Sequence, residues 1–289
     1  MITVIVPAWN EEGAIEQTIL GLQKVLDGAR MLDAEIIVID DGSSDRTGEI
    51  AAAAGATVHR HPHNVGYGRA LKAGITLAKY DPIVFIDADL TYPVEIIPKL
   101  YEEYCKGYDM VVGARTGHYY EGGVLNKGPL RMILKFLVEF SAGRSIPDAN
   151  SGLRILSKST VTSYLNHLCD TFSFTTSITL AYMMTNRFVH YIPIEYSPRL
   201  GQTKVHLFKD SMLTLQYIVQ SIIYYNPIKI FIVMSGLCIL MSILFFLIGA
   251  ITRLNAPYFL GIGGLLIAML VFCLGLLADL LRQIMSRGT

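Results

Sequence analysis

The sequence predicts an α/β fold, a mostly parallel sheet with helices on both faces, continued by an interfacial amphipathic helix and a two-helix transmembrane hairpin. Three observations carry this. Apolar runs of strand length alternate with segments of helical period in the N-terminal part of the 289 residues. Two stretches near the C-terminus pass more than twenty residues without a charge. Clusters of acidic residues follow three of the strand-like runs, at the sheet edge where such folds gather their polar groups.

The strand runs are Thr3 to Val6, Glu35 to Ile39, Ala56 to His59, Pro82 to Ile86 and Met110 to Gly113. They are largely apolar, as strands covered on both faces must be. Helices fall between them at Ala14 to Leu26, Thr47 to Ala54 and Arg69 to Ala78, and β-α-β alternation makes the sheet parallel. Further on, Phe208, Met212, Leu215, Ile218, Val219 and Ile222 recur at helical spacing, with Lys209, Asp210, Gln216 and Gln220 elsewhere on the wheel. Such a helix lies in a membrane interface or packs into a core; Tyr224, Tyr225 and Pro227 just beyond it favour the interface. Ile230 to Ile251 is 22 residues and Tyr258 to Ala278 is 21. Each makes a helix about 30 Å long, enough to cross a hydrocarbon core. Thr252 to Pro257 between them permits only a tight turn, so both flanks share one side. The expected domains are residues 1–207 for the α/β part, 208–227 for the interfacial helix and 228–289 for the hairpin.

Lys204, Lys209 and Lys229 precede the hairpin, Arg282 and Arg287 follow it, and Arg253 lies on the far turn. The positive-inside tendency then sets the α/β part and both termini in the cytoplasm. Met1 to Pro7 has no basic segment ahead of its short apolar run and reads as a strand, not a signal peptide. Apolar residues form 52% of the chain, more than a soluble core needs, and 17% charged residues argues against disorder. Residues 1–199 carry 18 basic and 22 acidic groups, against a nucleic-acid partner. Cys105, Cys169, Cys238 and Cys273 have no C-x-x-C spacing, so neither a zinc site nor a disulfide framework is indicated. The alternate histidines of His59-Arg60-His61-Pro62-His63 are not read as a metal site, because Pro62 breaks the strand.

Pro7-Ala8-Trp9-Asn10-Glu11-Glu12 follows the first strand, Asp40-Asp41-Gly42-Ser43-Ser44-Asp45 the second and Asp87-Ala88-Asp89-Leu90-Thr91 the fourth. The residues Ser43 to Asp45 suit a helix cap. Asp-x-Asp at the end of an apolar strand puts two carboxylates where water is scarce. Such a pair raises its pKa or holds a cation.

In order and spacing these clusters resemble the inverting family 2 glycosyltransferases, whose GT-A nucleotide-sugar fold is Rossmann-like. Ser151-Gly152-Leu153-Arg154 and Arg199-Leu200-Gly201-Gln202-Thr203-Lys204, ahead of a membrane hairpin, are similar to the polyisoprenyl-phosphate branch typified by dolichol-phosphate mannose synthase. The resemblance covers essentially the whole chain. Trp9 is the only tryptophan, so the Gln-x-x-Arg-Trp motif of processive polysaccharide synthases is absent and polymer synthesis is disfavoured.

The resemblance implies a nucleotide-sugar pocket made by Pro7, Trp9, Glu11, Ile39, Asp41, Asp87, Ala88 and Asp89, with Trp9 in place of the usual tyrosine. It implies Mg²⁺ or Mn²⁺ held by Asp87 and Asp89, with Thr91 as a third contact on the metal side. Asp40 either meets the ligand or accepts backbone amides of its own turn. Arg115, Arg131, Arg199 and Lys204 match positions that hold a lipid phosphate. Asp148, with Asn150 and Ser151, belongs to the acceptor-side loop and joins Asp87 and Asp89 as a catalytic candidate, for positioning the sugar. The implied partners are a GDP- or UDP-linked sugar, a dolichyl or undecaprenyl phosphate and the lipid bilayer. Gly261, Gly263, Gly264 and Ala268 suit close helix packing, within the hairpin or between protomers of a homo-oligomer. The expected activity is transfer of one hexose, mannose first, to the lipid phosphate with inversion to a β-linkage. Glucose or N-acetylglucosamine as the sugar, another membrane lipid as acceptor with Asp148 as base, and a non-catalytic membrane scaffold are the alternatives.

Overall fold

The computed structural model describes residues 1–29, 33–117, 128–198 and 207–287. All five strand runs read from the sequence form strands: β1 (Ile2–Ala8), β2 (Ala34–Asp40), β3 (Thr57–Arg60), β4 (Ile83–Phe85) and β5 (Met110–Thr116). Two more, β6 (Arg154–Leu156) and β7 (Val189–Glu195), complete one sheet in the order β3-β2-β1-β4-β6-β5-β7. Pairing is parallel between β1 and its neighbours β2 and β4, between β2 and β3, and between β5 and β7. The exception is β6, which runs antiparallel between β4 and β5, with Ile155 opposite both Val84 and Val111. Its direction matters for the site, because the loop that enters β6 lies at the edge where the parallel strands end.

The helix α1 (Ile15–Gly28) buries Ile15, Ile19, Leu22 and Leu26, an i, i+4, i+7, i+11 stripe against the sheet. Next come α2 (Thr47–Ala53) and α3 (Tyr67–Leu77). Gly74 lets α3 approach β1 closely: a Cβ there would meet the Ile5 side chain. The remaining helices of this part are α4 (Ile97–Tyr104), α5 (Gly128–Ala142), the short α6 (Lys158–Thr162) and α7 (Phe174–Met184), which is buried along almost its whole length. The core is aliphatic, with Val4, Val6, Val38, Val84, Val111 and Ile155 wholly buried on the strands.

The chain divides into two compact units, Met1–Ile218 and Val219–Thr289. The division falls inside α8 (Leu207–Tyr225). In the first unit, Ile218 of α8 is buried and Thr214 shares a 2.7 Å hydroxyl–hydroxyl hydrogen bond with Ser173.

In the second unit α9 (Ile228–Thr252) and α10 (Asn255–Arg287) form the hairpin, joined through Arg253 and Leu254 alone. Arg253 takes the left-handed conformation at φ 56° and returns its N–H to the Gly249 carbonyl, ending α9 sharply. Both helices are long and apolar enough to cross a membrane. The seam between them sets small residues against aromatic rings: Ser235, Ser242 and Gly249 are its buried members on α9, Gly249 and Gly275 face Tyr258 and Phe231, and the Ser235 hydroxyl donates to the Ala268 carbonyl at 3.1 Å. Gly261 and Gly264 lie in this seam against Phe246 and Ser242, whereas a side chain at Gly263 would meet open space. Leu237, Leu240, Leu266 and Met269 point outward. Large apolar side chains facing outward, with buried serines and glycines between the helices, reverse the order of a water-soluble helix pair and suit lipid.

Candidate active site at the carboxyl edge of the sheet

The loops that follow β1 and β2 are stitched to each other. Asn10, at φ 51°, receives a hydrogen bond from the Ser44 amide at 2.8 Å, and its own amide donates to Ser43 at 2.9 Å. The Glu11 amide donates to Thr47 at 2.8 Å. Asp45 accepts the Thr47 amide at 3.0 Å just ahead of α2, whose N-cap position is taken by Arg46 without a side-chain cap, so the expected cap does not form. Burial pushes the Asp45 carboxyl up, but hydrogen bonds from Thr47 and Glu12 outweigh it and leave it below its ordinary value. Asp40 serves its own turn. It is fully buried, accepts the Ser43 amide at 2.9 Å and pairs with Arg60 at 3.4 Å. Trp9 is 37% exposed, and Pro7 and Ile39 are buried opposite each other on β1 and β2.

Asp41 faces the other way. Its carboxylate accepts the Val65 amide at 3.1 Å and the Gly66 amide at 2.9 Å, and lies 2.8 Å from His61 Nδ1. It thereby anchors the glycine loop that leads into α3. Gly66 holds φ +107°, and side chains at Gly66 or Gly68 would strike the carbonyls of Asp170 and Cys169, so only glycine fits. Tyr67, the first residue of α3, donates its hydroxyl to Asp87 Oδ1 at 2.9 Å. Burial and the adjoining Asp87 charge push this phenol well above its ordinary pKa, so it remains a donor.

The Asp87-x-Asp89 pair follows β4. Asp89 is 5% exposed and accepts from the Thr91 hydroxyl at 2.6 Å and the Thr91 amide at 3.2 Å. Leu90 between them sits at φ 60°, strained for a branched side chain, and the Ala88 carbonyl is held by the Thr18 hydroxyl of α1 at 2.9 Å. Thr91, expected on the metal side, stands fully buried behind Asp89 as its hydrogen-bond donor.

The loop entering β6 closes the site. Asp148, 4% exposed, accepts a bidentate pair from Arg115, Nε at 2.7 Å and Nη2 at 2.9 Å. The sequence assigned these two residues to separate tasks; the structure joins them in one ion pair, with the Arg115 guanidinium 5.5 Å from the Tyr196 ring centroid. Burial pushes the Asp148 carboxyl up, but the hydrogen bonds and charge of Arg115 outweigh burial and hold it below the usual carboxylate value. The Gly152 amide donates to the Tyr92 hydroxyl at 2.7 Å, and Ser151 donates to the Gly113 carbonyl at 2.6 Å. A Cβ on Gly152 would lie 2.6 Å from Asp87 Oδ2, so this loop rests directly on the first aspartate of the pair.

Arg154 holds the loop from below. It is completely buried, with Nε on the Ser151 carbonyl at 3.1 Å and Nη1 on Thr175 and Thr179 at 3.3 and 3.2 Å. Burial draws its pKa down from the ordinary arginine value. The sequence places Arg154 in a motif but assigns it no task, and assigns none to Tyr67 or Tyr92. An arginine two residues beyond a loop glycine and ahead of apolar residues was a signal for Arg154; nothing local marks the two tyrosines. The Arg131 side chain, Arg199 and Lys204 lie outside the described residues.

Two hard carboxylates meet at the edge, and among the described residues no three of His, Cys, Asp and Glu gather around one point. This donor set fits Mg²⁺ or Mn²⁺ shared with a diphosphate, since Mg²⁺ is commonly held by one or two carboxylates plus substrate phosphates.

The sheet order, with an Asp-x-Asp pair at the middle of its carboxyl edge, defines a GT-A-like α/β protein. Residues 3–165 match glycosyl transferase family 2, and the chain belongs to that family. It is 32% identical over 220 residues to the low-salt glycan biosynthesis hexosyltransferase Agl6 of Haloferax volcanii, covering 72% of this chain and 51% of that protein. It is 29% identical over 214 residues to the dolichyl-phosphate hexose transferase of the same organism, covering 72% and 87%. The chain thus spans about half the length of the first relative. Among solved structures, glucosyl-3-phosphoglycerate synthase of Mycobacterium tuberculosis in complex with Mn²⁺, uridine diphosphate and phosphoglyceric acid aligns with a TM-score of 0.64, at 22% identity, over 76% of this chain and 78% of that one. At that identity the likeness is one of fold.

Proposed function

We propose that the protein is a membrane-bound inverting glycosyltransferase that moves one hexose from a nucleoside-diphosphate sugar to a polyprenyl phosphate. The observation that carries this reading is the condition of Asp148. A hydroxyl acceptor needs a base, and Asp148 is the carboxylate of the acceptor-side loop. Its bidentate pair with Arg115 and its lowered pKa make it a poor proton acceptor. A phosphate monoester, with a second pKa of about 6, arrives already anionic and needs cations instead of a base. The relative named as a dolichyl-phosphate hexose transferase, matched over 87% of its length, supports the same acceptor.

In this reading Pro7, Trp9, Glu11, Ile39 and Asp41 form the nucleoside pocket, and Asp87, Ala88 and Asp89 meet the diphosphate. Thr91 keeps Asp89 oriented. A bound Mg²⁺ or Mn²⁺ supplies stabilisation of the charge that grows on the departing diphosphate. Asp148 fixes Arg115 toward the acceptor phosphate, with Arg131, Arg199 and Lys204 as further cations. The phosphate oxygen attacks the anomeric carbon from the face opposite the leaving group, so an α-linked donor yields a β-linked product without a covalent enzyme intermediate. The hairpin anchors the chain in the bilayer, and the basic residues flanking it favour a cytoplasmic α/β unit. Mannose is the first candidate sugar.

Full-length protein in detergent, given undecaprenyl or dolichyl phosphate, Mn²⁺ and a panel of GDP- and UDP-sugars, tests this. Turnover with one donor, lost in Asp89→Ala, is the expected result. Donor binding with no turnover on any polyprenyl phosphate refutes the acceptor assignment.

A further inference from the structure

We propose that Tyr67 is the positioning residue of the Asp87-x-Asp89 pair: its hydroxyl fixes the Asp87 carboxylate for the metal-bound diphosphate and ties that orientation to the nucleoside-side loop. The inference rests on the transferase reading above and adds to it a residue to which none of the motifs carrying that reading assigns a task.

The argument is geometric. Tyr67 follows a loop clamped on two sides. Asp41 accepts the amides of Val65 and Gly66 at 3.1 and 2.9 Å. On the other side, Gly66 and Gly68 press on the backbone of Cys169 to Thr171, and the Arg69 amide donates to the Asp170 carbonyl at 3.1 Å. Phe172 stacks on the Tyr67 ring at 5.8 Å and 15°. A phenol so held delivers its O–H to one fixed point, and that point is Asp87 Oδ1, 2.9 Å away. Gly152 lies against both oxygens of the same carboxylate. Asp87 therefore has its rotamer set by the Tyr67 hydrogen bond and by close packing of the acceptor-side loop. The hydrogen bond to an ionised group is of the stronger kind, and its loss frees a carboxylate that must otherwise be pre-aimed.

Tyr67→Phe removes the hydroxyl and keeps the ring. Isothermal titration calorimetry of the full-length protein with GDP and with UDP, at a series of Mg²⁺ concentrations including none, reads its effect. We expect the Mg²⁺ concentration for half-maximal nucleotide binding to rise by about tenfold, as for loss of a hydrogen bond to a charged group, while the metal-free nucleotide affinity stays within about twofold. Phe172→Leu, which removes the stacking partner and keeps the hydroxyl, should raise the Mg²⁺ requirement by less than Tyr67→Phe does, because the clamped loop still holds the ring. An unchanged Mg²⁺ requirement in Tyr67→Phe overturns the proposal alone. A parallel loss of metal-free affinity, or an equal shift in Phe172→Leu, makes Tyr67 a packing residue and also overturns it. A wild type that binds neither nucleotide with Mg²⁺ present overturns the donor-site reading, and this proposal with it.

Discussion

Replacing Gly152 with alanine tests whether the acceptor-side loop and the Asp87-x-Asp89 pair work as one unit. The new Cβ would stand 2.6 Å from Asp87 Oδ2, 2.8 Å from Oδ1 and 2.9 Å from Cγ. Ordinary contact begins near 3.4 Å, so roughly 0.8 Å must be found. Turning the carboxyl about its own bond gives no relief, because all three of its atoms are too close. The loop has little room to retreat, since the Gly152 amide is bound to Tyr92, Ser151 to the Gly113 carbonyl, and Arg154 to the Ser151 carbonyl. Asp87 therefore moves, against its hydrogen bond from Tyr67. A displacement near 1 Å at a reacting centre costs about 10²-fold in rate, and overpacking of this kind costs about 1–3 kcal/mol in stability. The assay is sugar transfer to polyprenyl phosphate, alongside thermal unfolding in the same detergent. We expect kcat to fall about 100-fold with the acceptor KM little changed and the protein still folded. A folded Gly152→Ala enzyme turning over within about threefold of wild type, far short of that expected loss, would refute the reasoning.

Asp148 ionises below the unfolded aspartate value of about 3.9. Its pairing therefore stabilises the fold above that pH, and the contribution is lost as the pH falls through the lower folded-state value. Asp148→Asn should destabilise the protein at pH 7 on the order of 3 kcal/mol, by removing the buried charge that Arg115 pairs with. In urea titrations across pH, wild type and variant should converge in acid; a gap that persists there argues against the ion pair as the cause. Tyr92→Phe strips the acceptor from the buried Gly152 amide and should cost about 1–3 kcal/mol, whereas an unchanged melting temperature would mean that amide finds another partner. Turnover should vanish in EDTA and return with Mg²⁺ or Mn²⁺; full activity in the chelator would exclude the metal-assisted reading.

Much of this architecture is local in origin, and local features are legible along a chain. A strand covered on both faces is written as a short apolar run, and so β1 to β5 formed where such runs stand. The hairpin was legible for the same reason, although α9 and α10 run past their expected ends and leave only Arg253 and Leu254 between them. β6 was not legible: it is three residues long and opens on an arginine. Burying Arg154 requires carbonyls from the loop Ala149 to Ser151 and from Thr175 on α7, an environment no window around residue 154 contains.

That carboxylates stand at strand ends, and that two C-terminal helices are apolar enough to cross a membrane, follows from residue type and spacing, because each such feature is written by its own neighbours. Which of those groups touch is a matter of sheet order. By entering antiparallel between β4 and β5, β6 brings Gly152 onto Asp87 and Asp148 onto Arg115, partners far apart in the chain. Tyr67 reaches Asp87 only because α3 packs with its first residue at the same edge. Such distances depend on long-range pairing, which residue order constrains only through the whole fold. The sequence by itself therefore determined which groups are available, and the tertiary structure decided that Asp148 is bound to a cation rather than free to act as a base.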